Sequence, residues 1–288
     1  MDWIETLING ALLGGLYGLL GIGLALVFGV MRVINIAHGE FMVLGAFLVV
    51  ILAGMVPGVH PLLLLLPVVG ALFLLGYLFQ AVLVNRVVRS RDPLAPLLLT
   101  FGVSVILRNA MVEIFGADVH SIQAGNLSRA SMAILGIHVG VLPLLTLLLA
   151  VVLFLALQWL ISSTQIGRII RATADNSEVV RLMGVKPARI YNLVMALSLA
   201  LGAIGGVLLA MRSSFTPFSG AERLLIAFEV VVLGGVGSFW GALLGGIALG
   251  MAQLAGLKLD PNAGLLYAHL LFFVGLLLRP RGMIAARG

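Results

Sequence analysis

The chain has 288 residues, of which 61% are hydrophobic and only 10% are charged, whereas soluble domains carry about 25% charged residues. A soluble protein of this composition would lack the polar residues needed to cover its core, so the surplus apolar surface must face lipid. The formal net charge of +6 does not indicate nucleic acid, because most basic residues sit in short loops, as in helical membrane proteins. The absence of cysteine excludes a disulfide framework and a thiolate metal site.

Apolar segments fill most of the chain, and the lack of long alternating strand patterns predicts that they are helices. Four of these segments are shorter than the roughly 20 residues that cross a bilayer. For two of them, 41–55 and 224–236, a half-helix is the alternative to a full crossing, so we expect eight or nine transmembrane segments, including short broken helices. The fold class is all-α, a polytopic helical membrane protein, in a single domain that covers residues 1–288. The predicted segments are 7–30, 41–55, 62–84, 94–115, 141–161, 191–211, 224–236, 239–255 and 264–278.

Basic stretches predict which loops lie in the cytoplasm, because short cytoplasmic loops are rich in Lys and Arg. The loops 85–92 and 162–190 and the tail after residue 278 are predicted to lie inside, and the segments 116–140 and 212–223 outside. The first of these external segments is expected to hold a short surface helix. The N-terminus lies outside if the second segment crosses the membrane and inside if that segment is a half-helix. The arginines of the first loop and of the tail are Arg86, Arg89, Arg91, Arg279, Arg281 and Arg287.

Glycines recur at close spacing in the first predicted segment and in the eighth. Gly10, Gly14 and Gly18 are four residues apart, and Gly246 and Gly250 repeat that spacing. Small residues at this spacing lie on one face of a helix and allow a second helix to approach closely. We therefore expect both segments to pack against neighbours through these faces.

Two glycine-containing polar interruptions lie in opposite halves of the chain, at residues 35–40 and 234–238. In transporters, paired interruptions of this kind mark a pathway near the midplane, because unwound backbone is tolerated only where protein, water or substrate satisfies it. An ordinary turn between two short helices is the alternative. The candidate pathway residues are Asn35, His38, Gly39, Gly235, Gly237 and Ser238.

Several ionisable residues lie within predicted membrane segments, where a charge usually pairs or faces water. Arg108 and Glu113 share one segment but are five residues apart, about 140° around a helix, so they cannot pair along one face. We expect Arg108 either to pair with Glu229 across helices or to reach toward the interface, and we expect Glu113, near the helix end, to reach toward the interface. His269 is expected to be a packing histidine with a satisfied hydrogen bond.

The longest polar interval, residues 166–194, contains a predicted short helix at about 177–183. Asp175, Asn176 and Ser177 are N-cap residue types, and Glu178 suits the dipole of the first turn. The helix is predicted to end before Gly184. On these residues alone, the helix could dock a partner protein or lie on anionic lipid.

Motifs for catalysis are missing from the sequence. It contains no GxxxxGK[ST] phosphate loop, no His, Asp and Glu cluster with metal-ligand spacing, and no Ser, His and Asp constellation in a plausible common site. We therefore expect a protein that is not an enzyme, does not hydrolyse ATP itself and binds no cofactor or metal.

Glu178 lies six residues before Gly184 in a loop between two spans, and this spacing resembles the EAA loop of ABC importer permeases, with Val179 and Val180 replacing the two alanines. Residues 23–47, 167–198 and 228–246 resemble the signature blocks of the branched-chain amino acid permeases of the LivH type, in that family's order.

This resemblance implies the ABC importer permease fold in a bacterial inner membrane. It implies a pathway shared with a second permease of the LivM type, two cytoplasmic ATPase subunits that hold ATP and Mg, and a periplasmic binding protein. It also implies that the short helix couples the permease to an ATPase. Related permeases import urea, short amides or other amino acids, and an ion-driven secondary transporter is a further alternative. The coupling residues would be Ser177, Glu178, Val179, Val180, Arg181, Leu182, Met183 and Gly184.

Overall fold

Helices make up most of the computed structural model, which describes residues 3–88, 92, 94–134 and 137–284. Arg89, Arg91 and Arg287 of the predicted basic stretches lie outside these residues. A π-helical turn at Gln80–Val84 joins the third and fourth helices, and a 3₁₀ turn at Pro217–Ser219 precedes the eleventh. The helices are α1 (Trp3–Met31), α2 (His38–Met55), α3 (Pro61–Phe79), α4 (Asn85–Val88), α5 (Leu94–Phe115), α6 (Asn126–Arg129), α7 (Val141–Ser163), α8 (Gln165–Asp175), α9 (Ser177–Leu182), α10 (Pro187–Arg212), α11 (Gly220–Gly234), α12 (Phe239–Leu259) and α13 (Gly264–Leu278).

Within the described residues, seven helical stretches are long and apolar enough to cross a membrane: α1, α2, α3 continued through α4, α5, α7, α10 and α12. Helices α11 and α13 have 15 residues each. Every predicted apolar segment corresponds to one of these nine helical stretches. Because only seven of the nine are long and apolar enough to cross a membrane, the predicted count of eight or nine transmembrane segments is confirmed only approximately.

The predicted external segment 116–140 contains more than the expected surface helix. Besides the short helix α6, it forms two antiparallel strands, β1 (Ser131–Ile134) and β2 (Ile137–Gly140). Earlier in the segment, the backbone groups of His120 pair in both directions with those of Phe215, at 2.8 Å. The segment is therefore tied to the bundle.

The helix directions define two ends of the bundle. We call the end that carries α8 and α9 the loop face and the opposite end the far face. Helix α10 starts at the loop face, and α1 runs antiparallel to it, because Gly23 packs beside Ser198 whereas Leu20 packs beside Gly205. Helix α1 therefore starts on the far face. The tail is on the loop face with α9, as the charge pattern predicts, since Ile284 donates a hydrogen bond to the carbonyl oxygen of Gly234 at the end of α11.

Glycines bring α1 and α12 into close contact along their length, as their spacing predicts. A methyl group on Gly10 would lie 2.7 Å from Cα of Met251, and a methyl group on Gly14 would collide with the backbone of Ile247. From the other side, a methyl group on Gly250 would collide with the backbone of Gly10 and Gly14. Backbones this close leave no space for a side chain between them, so α12 covers one face of α1.

Candidate functional site

Helix α2 begins in the middle of the bundle. A methyl group on Gly202 would lie 3.0 Å from Cε1 of His38, the first residue of α2. Gly202 lies about 15 residues beyond the start of α10 at Pro187, which is about 22 Å along the axis at 1.5 Å per residue. The non-helical residues 32–37 therefore lead from the loop face into the bundle, where α2 starts and continues toward the far face.

Protein groups satisfy the unwound backbone before α2. The amide nitrogen of Ile36 donates to Oγ1 of Thr100 on α5, at 3.2 Å, and the amide of Ala37 donates to Oδ1 of Asn35, at 3.1 Å. Thr100 also donates to the carbonyl oxygen of Ile34, at 3.4 Å. A break at this depth is stable because its polar groups find partners inside the protein.

Helix α11 also begins in the middle of the bundle, against α2. A methyl group on Gly39 would collide with the carbonyl oxygen of Gly220, and a methyl group on Gly220 would collide with the carboxylate of Glu40. The prediction that residues 212–223 form an external turn is therefore wrong for its second part. Phe215 is fully buried and packs edge-on against Phe47, with ring centroids 5.0 Å apart. This burial draws the chain back into the bundle after α10.

The carboxylate of Glu40 lies where the N-termini of α2 and α11 converge. Helix N-termini carry partial positive charge and favour a nearby anion. Arg108 on α5 donates two hydrogen bonds to Oε1 of Glu40, from Nη2 at 2.6 Å and from Nε at 3.2 Å. Oε2 has no hydrogen-bond partner among the described residues and is sealed from solvent. Three helices therefore meet at one buried carboxylate.

The predicted ion pair between Arg108 and Glu229 is wrong. Arg108 pairs with Glu40, and Oε1 of Glu229 on α11 lies 2.6 Å from Nδ1 of His269 on α13. Helix α2 supplies a nearer partner for Arg108, and helix α13 supplies one for Glu229, so each charge is paired without the other. His269 has the hydrogen bond expected of a packing histidine, and Glu113 is exposed.

A second arginine, Arg223, is buried beside this carboxylate. It lies in the first turn of α11, is 3% exposed, and donates from Nη1 to the carbonyl oxygen of Gly206 at 3.3 Å. Its guanidinium carbon lies 5.5 Å from the centroid of the Phe215 ring, and it is close enough to interact electrostatically with Glu40. The middle of the bundle thus holds two arginines for one carboxylate, an excess of positive charge.

His38, a candidate pathway residue, is sealed inside the bundle at 1% exposure. Its ring packs between Gly23 and Gly202. Neither ring nitrogen makes a hydrogen bond of ordinary geometry within the described residues, although the Leu20 carbonyl lies close enough to interact with the ring. Asn35 is also fully buried, and its side-chain amide faces Sδ of Met195 at 3.5 Å. These side chains do not line an open cavity.

The second predicted interruption lies at the loop face, far from the first. Gly237 packs beside Gly29, near the end of α1. A methyl group added to Gly29 would lie 3.0 Å from Cα of Gly237. Ser238 is the N-cap of α12, and its Oγ accepts a hydrogen bond from the amide of Gly241 at 3.1 Å. A methyl group on Gly235 would collide with the backbone of Ile284 in the tail. This interruption is therefore a turn between two helices, the alternative that the sequence left open.

The loop between α7 and α10 contains the predicted short helix, α9. Of the three N-cap candidates, Asn176 is the cap, because its Oδ1 accepts hydrogen bonds from the amides of Glu178 and Val179 at 3.0 and 3.1 Å. At the other end, Gly184 has a φ of +85°, and its amide donates to Arg181 while the amide of Val185 donates to Val180. These two bonds form a Schellman motif, so both ends of α9 are defined.

The apolar side chains of α9 and of its C-cap residue, Met183, divide between two environments. Val180 is buried at 4% exposure, whereas Leu182 and Met183 are 88% and 77% exposed. Val180 therefore anchors the helix to the bundle, and the other two face outward. A groove of about 680 Å³ lies beside α9, and its lining includes Glu178, Arg181, Lys186 and Tyr191.

Comparisons with known proteins agree with this architecture. A family profile described as the permease component of the branched-chain amino acid transport system matches residues 6–278. The chain belongs to this permease family. The permease is 30% identical to the high-affinity branched-chain amino acid transport system permease protein BraD of Pseudomonas aeruginosa, over 98% of the permease and 95% of BraD.

Two further relatives differ in how much of the permease they cover. The high-affinity branched-chain amino acid transport system permease protein LivH of Escherichia coli is 29% identical, over 98% of the permease and 95% of LivH. The autoinducer 2 import system permease protein LsrC of Yersinia pseudotuberculosis is 34% identical, over only 35% of the permease and 31% of LsrC. Both the predicted resemblance and the predicted class of polytopic helical membrane protein are confirmed.

Sequence reasoning missed two charged residues in the middle of the permease, Glu40 and Arg223. Glu40 ends the first polar interruption directly before an apolar run, and Arg223 directly precedes another. A charge at such a boundary is compatible with a helix end at either membrane surface, so its position alone does not indicate burial. Within the described residues, no group of three His, Asp or Glu side chains is placed to hold a metal ion.

Proposed function

We propose that the permease is a membrane-spanning subunit of an ATP-driven importer for branched-chain or other hydrophobic amino acids. It works in a bacterial inner membrane and forms the pathway together with a second permease. Two ATPase subunits bind ATP and Mg on the loop face, and a periplasmic binding protein delivers substrate to the far face. The proposal is supported by BraD and LivH, two permeases of branched-chain amino acid transport systems that both match nearly the whole chain.

The single observation that carries the ATP-driven part is α9 with its exposed end. Exposed apolar side chains on a capped helix of a polar loop favour contact with another protein, and Leu182 and Met183 are such side chains. We assign the ATPase contact to residues 177–184, with the groove beside Glu178 and Arg181 as the adjoining surface. A lipid-bound helix would instead bury these apolar side chains in the interface.

We place the pathway beside the first interruption, where α2 and α11 begin in the middle of the permease. Discontinuous helices mark the substrate site in many transporters because their N-termini attract anionic groups. Among the candidates, Gly39 brings the two helix starts together. Asn35 and His38 pack behind these helix starts, and we do not assign Gly235, Gly237 and Ser238 to the pathway, because they form a turn between two helices at the loop face.

A second candidate function, an ion-driven carrier, draws on the Glu229 and His269 pair. That pair joins α11 to α13, and the His269 side chain is 38% exposed. Carboxylate and histidine chains inside membrane proteins serve as proton relays in pumps and transporters. The energy source separates this function from the ATP-driven importer.

The test is uptake of labelled leucine into vesicles that contain the complete complex. We expect uptake with ATP and the binding protein, and none when each ATPase lacks the lysine of its phosphate loop. Uptake that persists in the lysine variants and follows a proton gradient would establish the ion-driven carrier instead. Competition by isoleucine, urea and acetamide in the same assay identifies the substrate class.

A further inference from the structure

A polar cleft opens on the far face of the permease between α1, α10, α11, α12 and α13. Its volume is about 380 Å³, which is within the range of small-molecule sites and near its lower end. Its polar lining includes Tyr17, Arg212, Glu222, Arg223 and Gln253. The phenol of Tyr17 donates a hydrogen bond to the side-chain oxygen of Gln253, which joins α1 and α12 across the cleft.

The cleft connects the far face to the charged centre of the permease through Arg223. This side chain lines the cleft yet is 3% exposed, and its Nη1 donates to the carbonyl oxygen of Gly206, six residues before the end of α10 at Arg212. A guanidinium group has five N–H donors, and this contact uses one of them. Burial of such a group is costly unless its donors are used, which favours an acceptor in the cleft.

The remaining lining complements an amino acid with an apolar side chain. Two guanidinium groups, of Arg212 and Arg223, suit a carboxylate, because arginine binds carboxylates through paired N–H donors. Glu222 supplies a negative charge for an ammonium group. The rest of the cleft is lined by three serines and by apolar side chains that can cover an aliphatic side chain; the apolar ones include Leu13, Leu209, Ile226, Leu254 and Leu257.

We infer that this cleft is a binding site for a zwitterionic aliphatic amino acid on the far side of the permease. The substrate carboxylate faces Arg212 and Arg223, its ammonium group faces Glu222, and its side chain lies on the apolar wall. The inference rests on the proposed function, since it names where this chain first holds the substrate. Such a site would hold the substrate above the meeting point of α2 and α11.

Equilibrium binding of three labelled ligands tests the site in the complete, nucleotide-free complex without the binding protein. The ligands are leucine, 4-methylpentanoate, which lacks the ammonium group, and 3-methylbutylamine, which lacks the carboxylate. We expect saturable leucine binding that weakens about tenfold in Glu222→Gln, whereas binding of 4-methylpentanoate is unchanged. Arg212→Gln should weaken leucine about tenfold and leave 3-methylbutylamine unchanged. Both side chains are exposed, so these variants should fold normally.

Matched controls are Asp118→Asn on the far face and Arg279→Gln on the loop face, both exposed and outside the cleft, and neither should change leucine binding. The site is refuted if leucine does not bind saturably, or if each variant weakens all three ligands equally. Displacement of bound leucine by glycerol 3-phosphate at similar concentration would indicate a lipid-headgroup site instead. ATP-driven leucine uptake by a complex that fails these tests would leave the proposed function intact, whereas no uptake at all would overturn that function.

Discussion

Nη2 of Arg108 on α5 lies 2.6 Å from Oε1 of Glu40 on α2, in the middle of the permease. Glu40 is 2% exposed, whereas the side chain of Arg108 is 31% exposed. The two partners therefore differ in what happens when the other is removed. A carboxylate sealed inside the protein cannot be rehydrated, but an arginine at the edge of a helix bundle can reorient.

This asymmetry predicts that Arg108→Gln destabilises the permease more than Glu40→Gln. Breaking a buried pair costs about 3–5 kcal/mol, and we expect Arg108→Gln to approach that range. Glu40→Gln should cost less, about 1.5–3 kcal/mol, the value of a hydrogen bond to a charged group, because it also removes the carboxylate beside the buried Arg223. The double variant should be less destabilised than the sum of the single variants. Thermal unfolding of the detergent-solubilised complex, followed by size-exclusion chromatography, measures all three.

Charge reversal is not a suitable form of this experiment. A methyl group on Gly220 would already collide with the Glu40 carboxylate, so an arginine at position 40 has no space. We expect Glu40→Arg combined with Arg108→Glu to fail to assemble. Equal destabilisation by both single neutral variants would contradict the assignment of Glu40 as the sealed partner.

The exposed end of α9 predicts a loss of coupling without a loss of fold. Leu182→Asp should leave the thermal stability of the permease unchanged, because Leu182 is almost fully exposed. It should lower ATP-driven uptake at least tenfold if this side chain contacts an ATPase. Val180→Asp is the contrasting variant: Val180 is buried, so a charge there should destabilise the loop itself. Wild-type uptake by Leu182→Asp would remove α9 from the coupling surface.

The N-cap of α9 predicts different results at two neighbouring positions. Asn176→Ala removes the acceptor for two amides and should cost about 1 kcal/mol of helix stability. Ser177→Ala removes a side chain that does not cap α9 and should match the wild type. Protection of the α9 amides in hydrogen exchange, measured in the assembled complex, should fall for the first variant alone. A fall in both variants would contradict Asn176 as the cap.

The C-terminal end of α9 depends on a backbone conformation that favours glycine. Gly184 has a φ of +85°, which costs an L-residue about 1 kcal/mol or more. Gly184→Asn should be tolerated best, because Asn visits this region more readily than other side chains. Gly184→Ala should be intermediate, and Gly184→Pro should be worst, since it also loses the amide that donates to Arg181. Uptake rates that decrease in the order Gly184→Asn, Gly184→Ala, Gly184→Pro would support this prediction, and equal rates would contradict it.

Close packing of α1 on α12 predicts a large difference between two glycines. Gly14→Ala places a methyl group against the backbone of Ile247, and forcing the helices apart should cost about 1–3 kcal/mol or more. Gly70→Ala on α3 meets no atom within 4 Å and should stabilise its helix by up to about 1 kcal/mol. The unfolding temperatures of the two variants, compared with that of the wild type, should shift in opposite directions.

The sequence by itself determined the class of protein, the helices and the short helix α9 in the polar loop. Hydropathy over about 20 residues is a local property, so the bounds of α5 and α13 match the predicted segments 94–115 and 264–278 at every end. Caps are local as well: the side chain that starts α9 and the glycine that ends it lie within nine residues of each other. Glycine spacing likewise predicted that α1 and α12 each pack closely against a neighbouring helix, although it did not predict that they pack against each other.

Only the tertiary structure decided which charges meet and which interruption lies inside the permease. Arg108 is 68 residues from its partner Glu40, and no local pattern encodes the relative rotation and depth of their two helices. Glu229 was an equally suitable predicted partner, because the free-energy cost of placing a charged side chain in the membrane depends on its charge and its depth. That cost does not indicate which residue it pairs with. Likewise, the interruptions at 35–40 and 234–238 look alike as sequences. One is buried beside Gly202 and the other ends α11 at the loop face, because depth follows from how distant helices pack.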